Sequence, residues 1–318
     1  MAYPKIRQTR QPLRHGPFAS LESSLRHRIL FAAAAVAATV ALATALAQQP
    51  SVADAPHAPA RAYLGFDRNL YPGDAALPEL RKLFSYTGYW LTNPPLETRN
   101  TWVGKRDLLL RNGFGFLVVA NGRIDVELTR STKNGNSPTA LGRQDAAAAI
   151  AAAKREGFPP GTILFLDQEE GGRMLHEQAD YLLAWTEAVA QSAFLPGVYA
   201  SGQPVADGRD PNGKPVTITT IQDIRARVAA GHLHPIAFWV VQDACPPAPG
   251  CVLQPPPPSL SGTMDASAWQ FAQSPRRKPI TQACARTYAP DGNCDTPAPA
   301  GLSVDLSTAA TPDPSHGR

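Results

Sequence analysis

No Gly-x-Gly-x-x-Gly turn follows the first strand-like segment of this 318-residue chain, which argues against a dinucleotide-binding sheet. No Asp-x-Asp-x-Asp-Gly loop is present, so its carboxylates do not read as a calcium or magnesium site. Cysteine is missing from the first 244 residues. The four present, Cys245, Cys251, Cys284 and Cys294, lack the close-pair spacing of structural zinc, and no histidine lies among them. Ser201 and Ser267 have no histidine that the topology would bring beside them, so a serine hydrolase is not expected. His232 and His234 precede a strand, which puts them in a helix-to-strand loop at the end of the domain away from the chemistry. Neither a metal nor a cofactor is expected.

Charge of one sign is also lacking once the leader is set apart. Residues 1–47 hold six of the 30 basic side chains (Lys5, Arg7, Arg10, Arg14, Arg26 and Arg28) and one of the 26 acidic ones, Glu22. Residues 29–47 form an uncharged run rich in Ala, Leu and Val that closes with Ala45-Leu46-Ala47. A basic stretch, an apolar stretch and a small-residue site make the pattern of a cleavable signal peptide. The same run approaches the ~20 residues that span a bilayer, so an uncleaved anchor is the rival reading. Either way the remainder is exported, and the membrane enters only through this segment if it is kept. That remainder holds 24 basic against 25 acidic residues, a balance that offers nucleic acid no footprint. In an oxidising compartment an even cysteine count implies disulfides. Three connectivities are open. The pairing Cys245–Cys251 with Cys284–Cys294 closes two short loops and is preferred.

What is present is alternation. Residues 48–61 are an Ala/Pro-rich linker, and 308–318 are a polar tail expected to be disordered. Between them strand-like runs at 63–67, 86–91, 115–120, 163–169, 196–200 and 235–242 alternate with helix-like runs at 72–84, 102–111, 145–155, 176–193 and 220–230. Runs at 268–272 and 302–306 follow without helices, joined by Pro-rich, cysteine-bearing loops. Alternation predicts a parallel sheet. Eight strands predict an α/β fold of the TIM-type (β/α) barrel, with helices reduced or lacking after the last three strands and the domain spanning 62–307. A doubly wound open sheet is the alternative.

The clearest chemical signal is Ile163-Leu164-Phe165-Leu166-Asp167-Gln168-Glu169-Glu170 followed by Gly171-Gly172. An uncharged apolar run reads as a strand buried on both faces. Alternation along it turns Asp167 and Glu169 to the same side, with Cα atoms roughly 7 Å apart. Two carboxyl groups at the carboxyl end of a barrel strand suit acid/base chemistry on a glycosidic bond. Other strand ends carry Asp67, Trp90, Tyr199, Gln242, Gln270 and Asp305. Glu170 becomes the acid instead if the strand runs one residue further. Trp90, Tyr199 and Trp239 serve either as platforms for sugar rings or as barrel core. His176 lies on the side of the expected site.

Leu64-Gly65-Phe66-Asp67, Asp167-x-Glu169, Gly197-Val198-Tyr199, Trp239-Val240-Val241-Gln242, Trp269-Gln270-Phe271 and Val304-Asp305-Leu306 stand in the order found in family 25 glycoside hydrolases of the lysozyme type. The chain resembles more closely still a bacterial family of glycoside-hydrolase-like domains related to them. The resemblance spans residues 63–307. It implies a peptidoglycan-like or other N-acetylated polysaccharide as substrate or ligand. It also implies Glu169 as general acid, Asp167 as stabiliser of developing positive charge or as orienter of the substrate's acetamido group, and Asp67 and Asp305 as electrostatic and sugar-binding groups. Gln242, Gln270 and Glu170 are expected beside the substrate. A non-catalytic glycan-binding protein that uses the same groove is the alternative.

Overall fold

Strand and helix alternate from residue 63 onward, in a computed structural model that describes residues 61–168, 170–244, 256–274 and 302–318. The leader, the linker up to residue 60, Glu169 and all four cysteines lie outside the described residues. The parallel strands are β1 (Tyr63–Asp67), β2 (Tyr86–Trp90), β3 (Gly115–Asn121), β4 (Ile163–Gln168) and β5 (Leu195–Ser201). A hairpin, β6 (Val205–Arg209) with β7 (Pro215–Ile218), interrupts the series before β8 (Ala237–Val241), β9 (Ala268–Ala272) and β10 (Asp305–Ala309). Eight of these close into a barrel in the order β1-β10-β9-β8-β5-β4-β3-β2.

Seven barrel strands run the same way. The eighth, β10, is antiparallel to both β1 and β9, with Asp67 opposite Asp305. This corrects the expectation of a strand at 302–306 ending in acid. Asp305 begins the strand rather than closing it, and reversal of direction carries it to the same rim as Asp67.

Helices α1 (Leu77–Leu83), α2 (Arg106–Arg111), α3 (Asp125–Lys133), α4 (Pro138–Arg155), α5 (His176–Ala190) and α6 (Thr220–Gly231) cover the outside. Among the described residues no α-helix follows β8, β9 or β10, as expected, and none is long and apolar enough to cross a membrane. The alanines of α4 have a packing reason. Ala146, Ala149 and Ala153 are buried, and a Cβ on Gly142 would stand 2.3 Å from the Tyr181 carbonyl oxygen of α5. Only small side chains allow two helices so close. Helix α2 starts four residues later than the pattern at 102–111 predicts. Gly104 turns there at φ 75°, and Val103 is exposed rather than part of an apolar stripe. Tyr89 of β2 and Phe116 of β3 join Trp102 and Phe158 in an edge-to-face aromatic group.

Of residues 308–318, expected to be a disordered tail, the first two complete β10 and the rest seal the end of the barrel opposite the acids. Ser315 donates its N–H to Phe116 O and accepts from Ile163 N at its own carbonyl, both 2.8 Å, so it bridges β3 and β4 below the point where their own ladder begins. Its Oγ accepts from Val118 N, and Asp313 Oδ1 accepts from Phe116 N. The polarity that suggested disorder satisfies backbone groups that two splaying strands leave open.

Candidate active site

Each of the eight barrel strands sends one side chain into a single cavity at the rim. These are Asp67 from β1, Trp90 from β2, Val119 from β3, Asp167 from β4, Tyr199 from β5, Trp239 from β8, Gln270 from β9 and Asp305 from β10. Side-chain alternation makes this possible. Phe165 and Asp167 point inward while Leu164 and Leu166 meet the helices, and Phe165 packs against inward-facing Trp239. The pairings Asn121–Asp167, Asp167–Tyr199 and Tyr199–Trp239 set neighbouring strands at one height. The cavity encloses about 90 Å³, and Asn69, Pro95 and Gln273 complete its wall from loops.

The polar groups are linked. Gln270 Nε2 donates to both carboxylate oxygens of Asp67 at 3.1 Å. The Gln270 Oε1 accepts from Tyr199 Oη at 2.7 Å and from Gln273 Nε2 at 2.9 Å. The Ser274 N–H donates to Asp305 at 2.6 Å. Trp239 is almost wholly buried, stacks edge-on against Tyr199 and donates to Ser307 Oγ, so it serves the core and offers the cavity only an edge. Trp90 donates to Arg68 O. Asp67 can come this near β2 because position 88 is glycine. A Cβ there would stand 2.6 Å from Asp67 Cβ.

Burial, the largest influence, pushes the Asp67 carboxyl well above the ordinary carboxylate range. Asp305 and Asp167 push the same way, and the Gln270 hydrogen bond opposes them. The folded protein therefore holds this proton to higher pH than the unfolded chain, whose carboxyl titrates near about pH 4. Stability is fullest below that pH and falls as pH rises through the raised folded value. Asp67→Asn is expected to melt about 2–4 °C above the parent protein at pH 7, with the gap closing toward pH 4. Thermal melts across pH check this, and a pH-independent gap contradicts it.

Two expected ligand contacts sit elsewhere. Glu170 is tied outward, accepting from Asp125 N at the start of α3, from Gln168 and from Gln178. It fastens β4, α3 and α5 together rather than lining the cavity. Gln242 accepts from Gln203, Ala244 and Trp269, and is likewise not in the cavity wall. His176 is exposed beside Asp180, and His234 pairs with Glu187 on the surface. Asn69, Gln273 and Pro95 also line the cavity, and no motif in the sequence marks them. Asn69 and Gln273 lie two and three residues beyond Asp67 and Gln270, just past the ends of β1 and β9, and that position is the signal for them.

Several solved structures align with most of this chain. An uncharacterized Bacillus stearothermophilus protein aligns over 78% of this chain and 95% of its own, at 18% identity and TM-score 0.46. The Tat-secreted protein Rv2525c of Mycobacterium tuberculosis, solved with L-tartrate, aligns over 80% and 97% at 14% identity and TM-score 0.45. The Clostridium perfringens spore cortex lytic enzyme SleM aligns over 78% and 67% at 14% identity and TM-score 0.47. No curated protein matches the sequence. Residues 92–249 match the model of the Rv2525c-like, glycoside hydrolase-like domain, and the domain described above belongs to that family.

Proposed function

We propose that this protein is an exported glycoside hydrolase acting on N-acetylated cell-envelope glycan such as peptidoglycan. The observation that supports this best is the convergence of Asp67, Asp167 and Asp305 with Tyr199, Trp90 and Gln270 on one cavity lined by all eight barrel strands. At about 90 Å³ it is well below the ~300–1,000 Å³ of a site that encloses a small molecule. It therefore receives one substituent of a larger ligand. An acetamido group suits it, with its methyl toward the aromatic edges and its amide toward the carboxylates.

In this reading Glu169, next in sequence after the last residue of β4, gives its proton to the glycosidic oxygen as the bond to the anomeric carbon breaks. Asp167 stabilises the positive charge left on the ring, or orients the acetamido oxygen toward it. Water then adds to the anomeric carbon and returns a proton to Glu169. Asp67 and Asp305 bind hydroxyls. The carboxylates crowded at the mouth favour a protonated acid near neutral pH. Reducing-end release from purified peptidoglycan and from chitooligosaccharides tests the proposal. Saturable binding without release would make the protein a glycan-binding relative, and neither binding nor release would remove glycan from the account.

A further inference from the structure

A second cavity adjoins the first and shares Asp67, Asn69 and Asp305 with it. It encloses about 320 Å³ and is completed by Arg68, Leu70, Glu97, Ser274 and Ser303. The two are divided by the loop that leaves β2, in which Pro95 faces the first cavity and Glu97 the second. Leu96, between those two residues in the chain, is fully exposed and held at φ 64°. A bulky residue rarely adopts a left-handed backbone, and here it gains no burial in return.

The loop is firmly fixed. Asn69 Nδ2 donates to Pro95 O, Glu97 N to Pro94 O, Asn93 Nδ2 to Thr98 O and Asn100 Nδ2 to Trp90 O. Leu96 is thus presented by a rigid lip. Leu70, on the wall of the second cavity, is also partly exposed. Within that wall Arg68 carries Nε and Nη1 buried without a hydrogen-bond partner, and burial lowers its pKa. Buried donors without acceptors and apolar side chains without neighbours are both relieved by a ligand that carries oxygens on its edges and C–H groups on its faces. A pyranose unit has that chemistry, and the larger cavity falls within the size range of a small-molecule site.

We propose that the second cavity is a further sugar subsite with Leu96 as its apolar lip, so that the protein takes a glycan chain across its acids rather than at a chain end. The proposal rests on the glycan reading above and adds the length and direction of the ligand. It is tested by calorimetric binding of chitooligosaccharides of two, four and six units to the parent protein, Leu96→Gly and Leu96→Asn. The parent is expected to bind the longer chains at least tenfold more tightly than the disaccharide. Both variants should lose about five- to tenfold on the longer chains and nothing on the disaccharide. Glycine and asparagine both accept a positive φ, so melting temperatures should hold or rise. Asparagine also guards against a merely loosened loop. Equal affinity at all lengths, or variants that bind long chains as the parent does, overturns the second subsite and leaves the glycan reading intact. Failure of the parent to bind any oligosaccharide, including peptidoglycan strands, overturns the glycan reading itself.

Discussion

Glutamine in place of Glu169 is expected to cut glycan hydrolysis by about 10²–10⁴-fold while leaving glycan affinity within a few-fold of the parent protein. The substitution keeps the volume and one hydrogen-bonding oxygen of the side chain but removes the proton that leaves with the aglycone. Asp167→Asn should also lower turnover. It removes negative charge at the anomeric centre, where the transition state carries positive charge and the ground state does not. The two differ in their dependence on the leaving group. An activated aryl glycoside needs little protonation, so it should rescue Glu169→Gln substantially and Asp167→Asn hardly at all. Reducing-end assays beside aryl-glycoside assays read this directly. Parent-like turnover by Glu169→Gln would move the proton donor elsewhere. Asp67, whose carboxyl is pushed well above the ordinary range, would then be tested first.

Strands β1 and β4 are legible because each is a short apolar run whose last inward residue, Asp67 or Asp167, is a carboxylate. Tyr63–Asp67 and Ala268–Ala272 match the sequence boundaries, and Gly115–Asn121 and Ile163–Gln168 fall within a residue of theirs. Burial on both faces leaves no room for a polar residue until the rim, so the first carboxylate after such a run marks the mouth. Asp67 and Asp167 were readable on that ground, and Gln270 from its motif. Elements outside the barrel left weaker traces. Helix α3 buries only Leu128 and is anchored by Glu170 from 45 residues away, so its own sequence has no apolar period. The hairpin of β6 and β7 is mostly exposed and fixed by Arg173 gripping Asp207, so no alternation announces it. Glu170 itself shows the limit of reading an acidic block. Its neighbour Gln168 ends the strand, and the next described carboxylate turns outward to meet a helix start. The direction of β10 was hidden for a related reason. A five-residue strand reads alike in both directions, and only its pairing with β1 and β9 settles which end of it meets the cavity.

The largest effect on stability is expected from the segment whose order the sequence concealed. Deletion of residues 312–318 should lower the melting temperature by about 10 °C or more, with no direct loss of any side chain in the acid-lined cavity. The segment accepts hydrogen bonds from the backbone N–H groups of Phe116, Val118 and Ile163 and donates one to Phe116 O. Arg106, largely buried, donates through Nε and Nη2 to Gly317 O. Each backbone group left unpaired in the interior costs about 1–3 kcal/mol, so losing four of them removes a large part of a marginal stability. The side-chain share is separable. Ser315→Ala keeps the two backbone bonds of Ser315 and loses only the one from Val118 N to Oγ, so it should cost about 1–2 kcal/mol. Thermal and denaturant unfolding of the two variants measures both. Glycan binding at a temperature where the truncated protein remains folded should match the parent, because strands β3 and β4 deliver Val119 and Asp167 at their far ends. A truncation that leaves the melting temperature unchanged would mean that water satisfies those strand ends as well as Ser315 does, and that the barrel closes without its C-terminal plug.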